Sequence, residues 1–356
     1  MSLLTRYLLK RLGAMTVFSL IALLALYVFF DVLQESGDLG KDGYGVGSML
    51  AYVALLIPAH IYELLPLAVL IGGLIALSGL ANNSELTVMK ASGVSTKRFV
   101  KTLLGFGLVF AILTAVLGEW VAPKSQQYAE RLKNHVQKSN GPVGQSGVWI
   151  KHDGRYINFG EFLPDLSVRN LTLYSHNAEY ELSQALHADS AHNIGGNQWQ
   201  LKQVAIPDLS ATATKTSTQA QATLTLEVDD AVLRALQVEP EQMSLLALGD
   251  YIQHLKTNSQ QSERYEIAWW RKLTYPIAAL AMALIAFAFT PQATRRTNPT
   301  IKLFIGIFVG VGCHFASRFF AFSAQLYNIA PSIATILPTL LFLIGAIYWI
   351  RRQERR

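Results

Sequence analysis

The sequence predicts an α-helical membrane protein with six transmembrane helices and an all-β domain inserted between the third and the fourth. Three observations support this fold class. Of the 356 residues, 51% are hydrophobic and only 15% are charged, with a mean hydropathy of +0.28. The apolar residues gather in six segments, each long enough to cross a hydrocarbon core about 30 Å thick. A polar, strand-rich stretch separates the first three segments from the last three.

The six apolar segments are the predicted transmembrane helices. They are Leu12–Phe30, Met49–Leu80, Thr102–Gly118, Leu273–Pro291, Leu303–Phe322 and Ile333–Ile350. The first lacks a small-residue cleavage site, which favours a retained span over a removed signal peptide. The second is interrupted by Pro58, His60, Glu63 and Pro66. We therefore expect its first half to lie at or near a membrane interface.

The distribution of Lys and Arg predicts the orientation of these helices. One set of flanks is rich in basic residues: Arg6, Lys10, Arg11, Lys90, Lys97, Arg98, Lys101, Arg295, Arg296, Lys302, Arg351, Arg352, Arg355 and Arg356. The short loops on the other side contain only Lys41. We expect both termini to be cytoplasmic and the inserted region to lie on the other side of the membrane, which in a bacterium is the periplasm. The predicted domains are 1–123 with three helices, a periplasmic β domain at 124–265, and 266–356 with three helices.

The inserted region is predicted to be an all-β, jelly-roll-like domain. Its strand candidates alternate apolar and polar residues, or are rich in β-formers between turn residues. They are GVWIKHDGRYINFGEF, NLTLYSHN, NQWQLKQVAIPDLS and TQAQATLTLEV. Several short strands with intervening turns are typical of a sandwich or jelly roll. The flanking stretches 124–137, 244–256 and 263–270 are predicted to be helical.

The charge of the chain is unevenly distributed. The formal net charge is +6, yet residues 123–264 hold 12 Lys and Arg against 15 Asp and Glu. The basic pI of about 9.3 therefore comes from the membrane flanks and does not indicate nucleic-acid binding. The single cysteine, Cys313, lies in an apolar segment, so the inserted domain has no disulfide and no thiol chemistry.

A short cytoplasmic helix is predicted at about residues 84–93, in the polar loop between the second and third segments. Ser84 is a favourable N-cap residue. Glu85 follows in the first turn, where an acidic side chain suits the helix dipole. Gly93 supplies a C-cap, because a helix commonly ends on a left-handed glycine.

This loop helix carries an apolar face. Leu86 and Met89 fall on one side of it, at i, i+3 spacing. Apolar side chains on an exposed connecting helix need a cover, and the lipid headgroup layer and a partner protein would both provide one. The spacing alone leaves the two covers open.

The sequence contains no recognisable catalytic, metal or cofactor site. The phosphate-binding pattern GxxxxGK[ST] is absent, so the chain cannot bind ATP by that route. His187, Asp189 and His192 are close in sequence. On a strand, however, His187 and Asp189 share a face while His192 points to the other, which favours a polar strand surface over a metal site.

Four basic residues are predicted to form a rim at the outer interface that contacts lipid phosphates. They are Lys41, Arg271, Lys272 and Arg318. Charges inside or at the edge of a membrane span are costly, and they are usually functional or paired. The alternatives are snorkelling to the headgroups for Arg271 and Lys272, a solvated loop for Lys41, and an ion pair with Glu63 for Arg318.

Four short motifs, together with the three-plus-three arrangement of spans, carry a family resemblance. They are SELTVMKASGVS in the cytoplasmic loop, Glu119-Trp120-Val121-Ala122-Pro123 after the third span, Arg264-Tyr265…Trp270…Lys272…Pro276 entering the fourth, and Gly147-Val148-Trp149 in the β domain. With them the whole chain resembles the LptF/LptG permease family of the lipopolysaccharide exporter. It is similar to the LptG branch more than to the LptF branch, which remains an alternative.

The resemblance implies a non-catalytic permease subunit of an ABC transporter. Such a subunit would pair with an LptF-like permease and bind an LptB-like ATPase dimer, which holds the ATP. It would take lipopolysaccharide from the inner membrane and pass it to a bridge of LptC- and LptA-like periplasmic proteins. The β domain would be a jelly roll that can join this bridge.

The resemblance also implies roles for individual residues. The loop helix would be the coupling helix, with the ATPase-coupling residues Glu85, Leu86, Met89, Lys90 and Gly93. The first and fifth segments would be lateral gates beside a lipid cavity, whose apolar wall would include Phe304, Phe308, Phe315 and Phe319.

Three other functions fit parts of the pattern. An ABC permease for another lipid or a lipoprotein would keep the coupling helix without needing a basic rim. A membrane-anchored periplasmic enzyme would require a convergent catalytic cluster, which the sequence does not contain. A structural scaffold would tolerate replacement of the loop helix by a neutral linker.

Overall fold

The structure, a computed structural model, describes most of the chain. The described residues are 3–40, 43–137, 148–152, 155–162, 167–177, 181–195, 198–207, 216–226, 240–258, 260–290, 299–327 and 329–354. The chain divides into two compact units. One contains Met1–Glu130 and Glu266–Arg356, and the other contains Arg131–Tyr265.

The helices are α1 Leu3–Ser36, α2 Val46–Asn82, α3 Glu85–Ala91, α4 Thr96–Val116, α5 Ala122–Gln137, α6 Leu245–Thr257, α7 Glu263–Ala288, α8 Pro299–Tyr327 and α9 Pro331–Glu354. A π-helical turn, Leu117–Val121, joins α4 to α5, and a 3₁₀ turn, Pro240–Gln242, precedes α6. Within the described residues, six helices are long and apolar enough to cross a membrane, with α4 and α5 counted as one. The predicted six-span architecture is confirmed.

α2 lies at the centre of the helical unit. In its most apolar 18-residue window, 72% of the residues are buried, against 11% in the corresponding window of α1. α2 packs on α1, α4 and α8. Its contact with α1 is close, because a Cβ atom at Gly72 would overlap the backbone of Thr16. Glycine lets the two helices approach to backbone contact, as small residues commonly do in membrane bundles.

The inserted unit contains one antiparallel sheet in the described part of the chain. Its strands are β1 Val148–His152, β2 Arg155–Phe162, β3 Val168–His176, β4 Leu182–Gly195, β5 Gln198–Pro207 and β6 Thr216–Thr225. Each strand pairs with the next one in sequence. The prediction of an all-β domain is confirmed. The jelly-roll topology stays a prediction, since the described strands form a single sheet in sequential order.

Alternation places one face of the sheet in the core of this unit. The cross-strand row Ile150, Ile157, Leu173 and Leu186 is in register across four strands, and every member is at most 6% exposed. The neighbouring Trp149, on the other face, is 50% exposed. Of the longest strand, β4, only residues 187–192 were predicted as strand, because the apolar alternation along the remainder is weak.

The helices that flank the sheet were predicted. α5 continues from the third span through the π-helical turn rather than starting after a break. α6 begins after Ser244, whose hydroxyl oxygen accepts a hydrogen bond from the backbone N–H of Ala247. α7 begins at Glu263, as expected, and runs without interruption to Ala288.

Candidate functional site

The C-terminal end of α3 is fixed by Gly93. This residue has φ = +86°, in the left-handed region. Its N–H donates to the carbonyl of Lys90 at 3.0 Å, and the N–H of Val94 donates to the carbonyl of Met89 at 3.1 Å. These two bonds form a Schellman motif, which satisfies the last carbonyls of a short helix. The predicted glycine C-cap is confirmed.

The start of α3 differs from the prediction. Ser84 has φ = +60° and its side chain makes no capping hydrogen bond. A side-chain N-cap requires an extended backbone at the capping residue, and a left-handed serine cannot provide it. The amide of Asn83 instead donates to the carboxylate of Glu85 at 3.3 Å.

Glu85 is bound by the N-terminal part of α1. The hydroxyl of Tyr7 donates to its Oε2 at 2.8 Å, and Nη1 of Arg11 donates to its Oε1 at 3.1 Å. The same Arg11 nitrogen also donates to the Tyr7 hydroxyl oxygen at 2.8 Å. The hydrogen bond from Tyr7 is the main reason why the pKa of Glu85 lies below its ordinary value. We refer to Tyr7, Arg11, Asn83 and Glu85 as the Glu85 clamp.

The apolar face of α3 is covered by the chain itself. Leu86 and Met89 are 8% and 7% exposed and belong to the core cluster of the helical unit. This corrects the expectation that they project outwards as an apolar anchor for a partner. The i, i+3 spacing gives a shared face but not its direction, which is set by packing on the bundle. Val88, which is 62% exposed, and the exposed Lys90 lie on different sides of α3, because they are two positions apart on a helix.

A second group of polar residues joins α2, α7 and α8. Arg318 forms an ion pair with Glu63, one of the two alternatives that the sequence left open for it. The hydroxyl of Tyr275 donates to the backbone carbonyl of Glu63 at 2.7 Å. An arginine inside an apolar span is thus paired with a carboxylate of a neighbouring helix, which is a common arrangement for ionisable groups within membrane spans.

Lys272 binds the π-helical turn. Its Nζ donates to the carbonyl of Gly118 at 2.9 Å. A π-helical turn interrupts the regular i→i−4 pattern and leaves backbone groups in need of other partners. Gly118 is required here because a Cβ atom would overlap the ring of Tyr62, which lies 5.0 Å from the Tyr275 ring. Lys272 therefore has a structural partner within the chain.

The two remaining residues of the predicted basic rim are Arg271 and Lys41. Arg271 precedes Lys272 in α7 and is partly buried. Lys41 lies outside the described residues. The structure thus brings Lys272 and Arg318 into contact with their own chain and leaves phosphate binding by all four residues a prediction.

α8 has two contrasting faces. Phe304, Phe308, Phe315 and Phe319 are between 66% and 80% exposed and lie within one arc of the helix. On the opposite side, a Cβ atom at Gly306 or Gly310 would overlap leucine side chains of α2. The glycine face packs on the bundle, and the phenylalanine face is a large apolar surface that the described part of this chain does not cover.

Sequence reasoning missed one pair between α1 and α2. His60 Nε2 and Asp31 Oδ2 are 2.6 Å apart, and the Tyr27 ring lies 5.3 Å from the His60 ring. The available signal was an acidic residue, Asp31, directly after the first apolar segment and a histidine, His60, inside the second. In the β domain, His187 and Asp189 share a face as predicted, with 3.8 Å between Nε2 and Oδ1.

Among the residues that the structure describes, no group of three or more His, Cys, Asp or Glu is arranged to hold a metal ion. What the geometry defines is a polytopic membrane protein with a clamped short helix, a compensated polar cluster and an open apolar face.

Comparison with known proteins assigns the family. The family described as lipopolysaccharide export system permease LptF/LptG matches residues 6–352. The chain belongs to this family.

Individual relatives are distant in sequence but match nearly the whole chain. The lipopolysaccharide export system permease protein LptG of Escherichia coli strain K12 is 26% identical over 347 residues, which are 96% of this chain and 94% of that protein. The protein of the same name from Haemophilus influenzae strain Rd is 24% identical over 354 residues, 99% of both chains.

Proposed function

We propose that this chain is the permease subunit of an ABC transporter that extracts lipopolysaccharide from the inner membrane and passes it to a periplasmic bridge towards the outer membrane. The observation that carries the proposal is the family match across residues 6–352, with relatives named as lipopolysaccharide export permeases over nearly their full length. Those names favour an LptG-type role beside an LptF-like partner.

The proposed orientation places both termini and α3 in the cytoplasm and the β domain in the periplasm. It is supported by the basic residues that flank the spans on one side. The subunit itself makes and breaks no covalent bond. ATP is bound and hydrolysed by an LptB-like ATPase dimer, which docks against α3 from the cytoplasm.

α3 is the proposed coupling helix. The exposed residues Val88 and Lys90 contact the ATPase, and the buried residues Leu86 and Met89 hold the helix on the bundle. Gly93 ends the helix sharply, so that the chain turns directly into α4. Closure of the ATPase dimer pushes α3, and the push reaches the spans on which α3 is packed.

The phenylalanine face of α8 is the proposed wall of the lipid cavity. An LptF-like partner would close the other side, so that acyl chains are held between two apolar surfaces. Burial of apolar area is the main favourable term for such a ligand, at roughly 25 cal/mol per Å². This assigns a purpose to four exposed phenylalanines on one side of a single helix.

The phosphates of the lipid are proposed to lie beside Lys41, Arg271, Lys272 and Arg318. Lys272 and Arg318 already donate one hydrogen bond each within the chain. An ammonium group has three N–H donors and a guanidinium has five, so donors remain for a phosphate. The side chain of Arg318 is 57% exposed while paired, which keeps it accessible.

The β domain is proposed to contact LptC- and LptA-like proteins. An available strand at the edge of a sheet can pair with a partner strand through backbone hydrogen bonds, which is a general way to join two sheets edge to edge. Lipopolysaccharide would then leave the membrane along a continuous series of β domains.

Affinity purification of the full chain from membranes of the bacterium that encodes it tests this proposal. We expect an ATPase and a second six-span permease to co-purify, and mass spectrometry to identify lipopolysaccharide in the sample. A control in which α3 is replaced by a neutral linker of equal length should lose the ATPase and keep the second permease. Purification without an ATPase, or with a lipoprotein as the bound cargo, would contradict it.

A further inference from the structure

The hydrogen bond between Lys272 and Gly118 holds an irregular point of the third span. This span is one unbroken helical segment from Thr96 to Lys133, and its α-helical pattern is interrupted at the π-helical turn Leu117–Val121. The carbonyl of Gly118 lies in this turn and accepts from Nζ of Lys272 at 2.9 Å. π-helical turns inside longer helices are rare and are often found at functional sites. A side chain that holds such a turn is a candidate for control of its conformation.

The turn is packed against α2 at Gly118. A Cβ atom at this glycine would overlap the Tyr62 ring, which lies 5.0 Å from the ring of Tyr275. The hydroxyl of Tyr275 donates to the carbonyl of Glu63 at 2.7 Å. Tyr275 lies three positions after Lys272, so the two side chains share one side of α7. A change in the turn therefore reaches α2 and α7 through direct contacts.

Two opposing attractions act on the ammonium group of Lys272. Glu119 follows Gly118 within the turn, and Arg271 precedes Lys272 in α7. The carboxylate draws the ammonium towards the turn, whereas the two adjacent positive charges attract an anion to this part of α7. A hydrogen bond from an ammonium to an ionised phosphate is stronger than one to a neutral carbonyl. The flexible four-carbon stem of lysine allows the ammonium to change partner.

We propose that Lys272 is a sensor that links a lipid phosphate to the conformation of the third span. A phosphate first meets the remaining N–H groups of the ammonium and then draws it away from the carbonyl of Gly118. The π-helical turn loses its side-chain donor and changes conformation. The empty and the lipid-loaded transporter thus differ in a helix that continues to Thr96, at its proposed cytoplasmic end. The inference rests on the proposed function, which supplies a lipid with phosphates on its headgroup.

Trp120 provides a reporter within the turn, because it belongs to Leu117–Val121 and is 63% exposed. The chain is labelled with fluorotryptophan, assembled with its partner permease and ATPase in nanodiscs, and studied by fluorine NMR. The variant Trp120→Phe assigns the resonance. We expect lipopolysaccharide to shift the Trp120 resonance, and lipopolysaccharide stripped of its phosphates to leave it in place.

Substitution of Lys272 separates the sensor from a purely structural bond. Lys272→Met removes the cation, so we expect the Trp120 resonance to be displaced before lipid is added and to stay there when lipopolysaccharide is added. Lys272→Arg keeps a cation that can donate to either partner, and we expect it to retain the response. Lys97→Met is the matched control, since it removes an exposed lysine near the other end of the same span, and the resonance should behave as in the wild type.

Three results would contradict the sensor: an equal shift with the phosphate-free lipid, a response that persists in Lys272→Met, or a wild type that binds lipopolysaccharide without a shift. A wild-type transporter that takes up no lipopolysaccharide would instead overturn the proposed function. Nanodiscs containing phosphatidic acid then supply the phosphate. A Trp120 shift that requires Lys272 would still support the sensor, and an unchanged resonance would refute it.

Discussion

At the scale of single residues, hydrogen bonding sets the charge state on which the clamp depends. Glu85 accepts hydrogen bonds from Tyr7, Arg11 and Asn83, and each of them favours the ionised carboxylate. A glutamate is already ionised near neutral pH, and these hydrogen bonds, the one from Tyr7 above all, lower the pKa of Glu85 further. The clamp is therefore formed whenever the cytoplasmic pH is near neutral.

Lowering the pH should remove the stability that the ionised form of Glu85 contributes. A glutamate whose pKa is lower in the folded than in the unfolded state adds stability above the unfolded pKa, and loses it as the pH falls through the folded pKa. We expect the wild type to melt at a higher temperature than Glu85→Gln at pH 7. The difference should shrink well below an unfolded pKa of about 4.3.

Thermal unfolding of the two purified proteins in detergent, at neutral pH and again below about pH 4, provides the measurement. Because the glutamine variant cannot titrate at this position, it reports the acid sensitivity of the remainder of the chain. A difference in melting temperature that is equal at both pH values would show that the ionised form of Glu85 adds no stability.

The local sequence pattern predicted the roles or partners of some of these residues and not of others. Gly93 was predictable because a helix end needs a left-handed residue close by in sequence. The pair between Arg318 and Glu63 was among the alternatives because a charge in an apolar span needs an opposite charge. The partners of Glu85 were not predictable, since nothing near Glu85 indicates residues on a helix more than 70 positions earlier.

At the scale of elements, the close crossing of α1 and α2 fixes the position of α1, the helix that carries Tyr7 and Arg11 of the Glu85 clamp. A Cβ atom at Gly72 would overlap backbone atoms of Thr16 and of Met15, and backbone cannot rotate away as a side chain can. The same crossing buries Leu12 and Thr16 of α1 completely. The approach of the two backbones is thus set by one small residue.

Gly72→Ala should separate the two helices. We expect a loss of about 1–3 kcal/mol of stability, as is usual for overpacking in a close-packed core. Gly13→Ala is the matched control, because a Cβ atom there meets nothing within 4 Å. Alanine is favoured over glycine inside a helix, so the control should gain up to about 1 kcal/mol. Thermal unfolding in detergent measures the stability of both variants. A Gly72→Ala variant with the melting temperature of the wild type would contradict the close crossing.

Elements were predicted well where a single physical rule dominates. The six spans follow from length and hydropathy. The structure extends five of the helices beyond both ends of their apolar segments, whereas α7 begins ten residues before its segment and ends at Ala288, three residues before the segment does. The full length of β4 and the π-helical turn were missed for different reasons. β4 lacks a strong alternation, and the turn is stabilised by Lys272, a residue 154 positions away from Gly118.

At the scale of the whole molecule, one chain combines a six-span unit with an inserted β unit. The family match covers both of them, since it runs from residue 6 to residue 352. Composition and charge placement predicted this organisation because membrane spans and strands obey strong local rules. The cargo and the partners were predicted only from the resemblance to the permease family, since an apolar face and a set of basic residues suit many lipids.

The central claim is that this chain moves lipopolysaccharide when ATP is hydrolysed by its partner. The most direct test reconstitutes the chain with its partner permease and ATPase in vesicles that contain both lipopolysaccharide and phospholipid. Transfer of each lipid to a soluble β-domain acceptor is then measured with and without ATP. Our account predicts transfer of lipopolysaccharide that requires ATP and every subunit, with phospholipid left behind. ATP hydrolysis without lipopolysaccharide transfer, or equal transfer of both lipids, would contradict it.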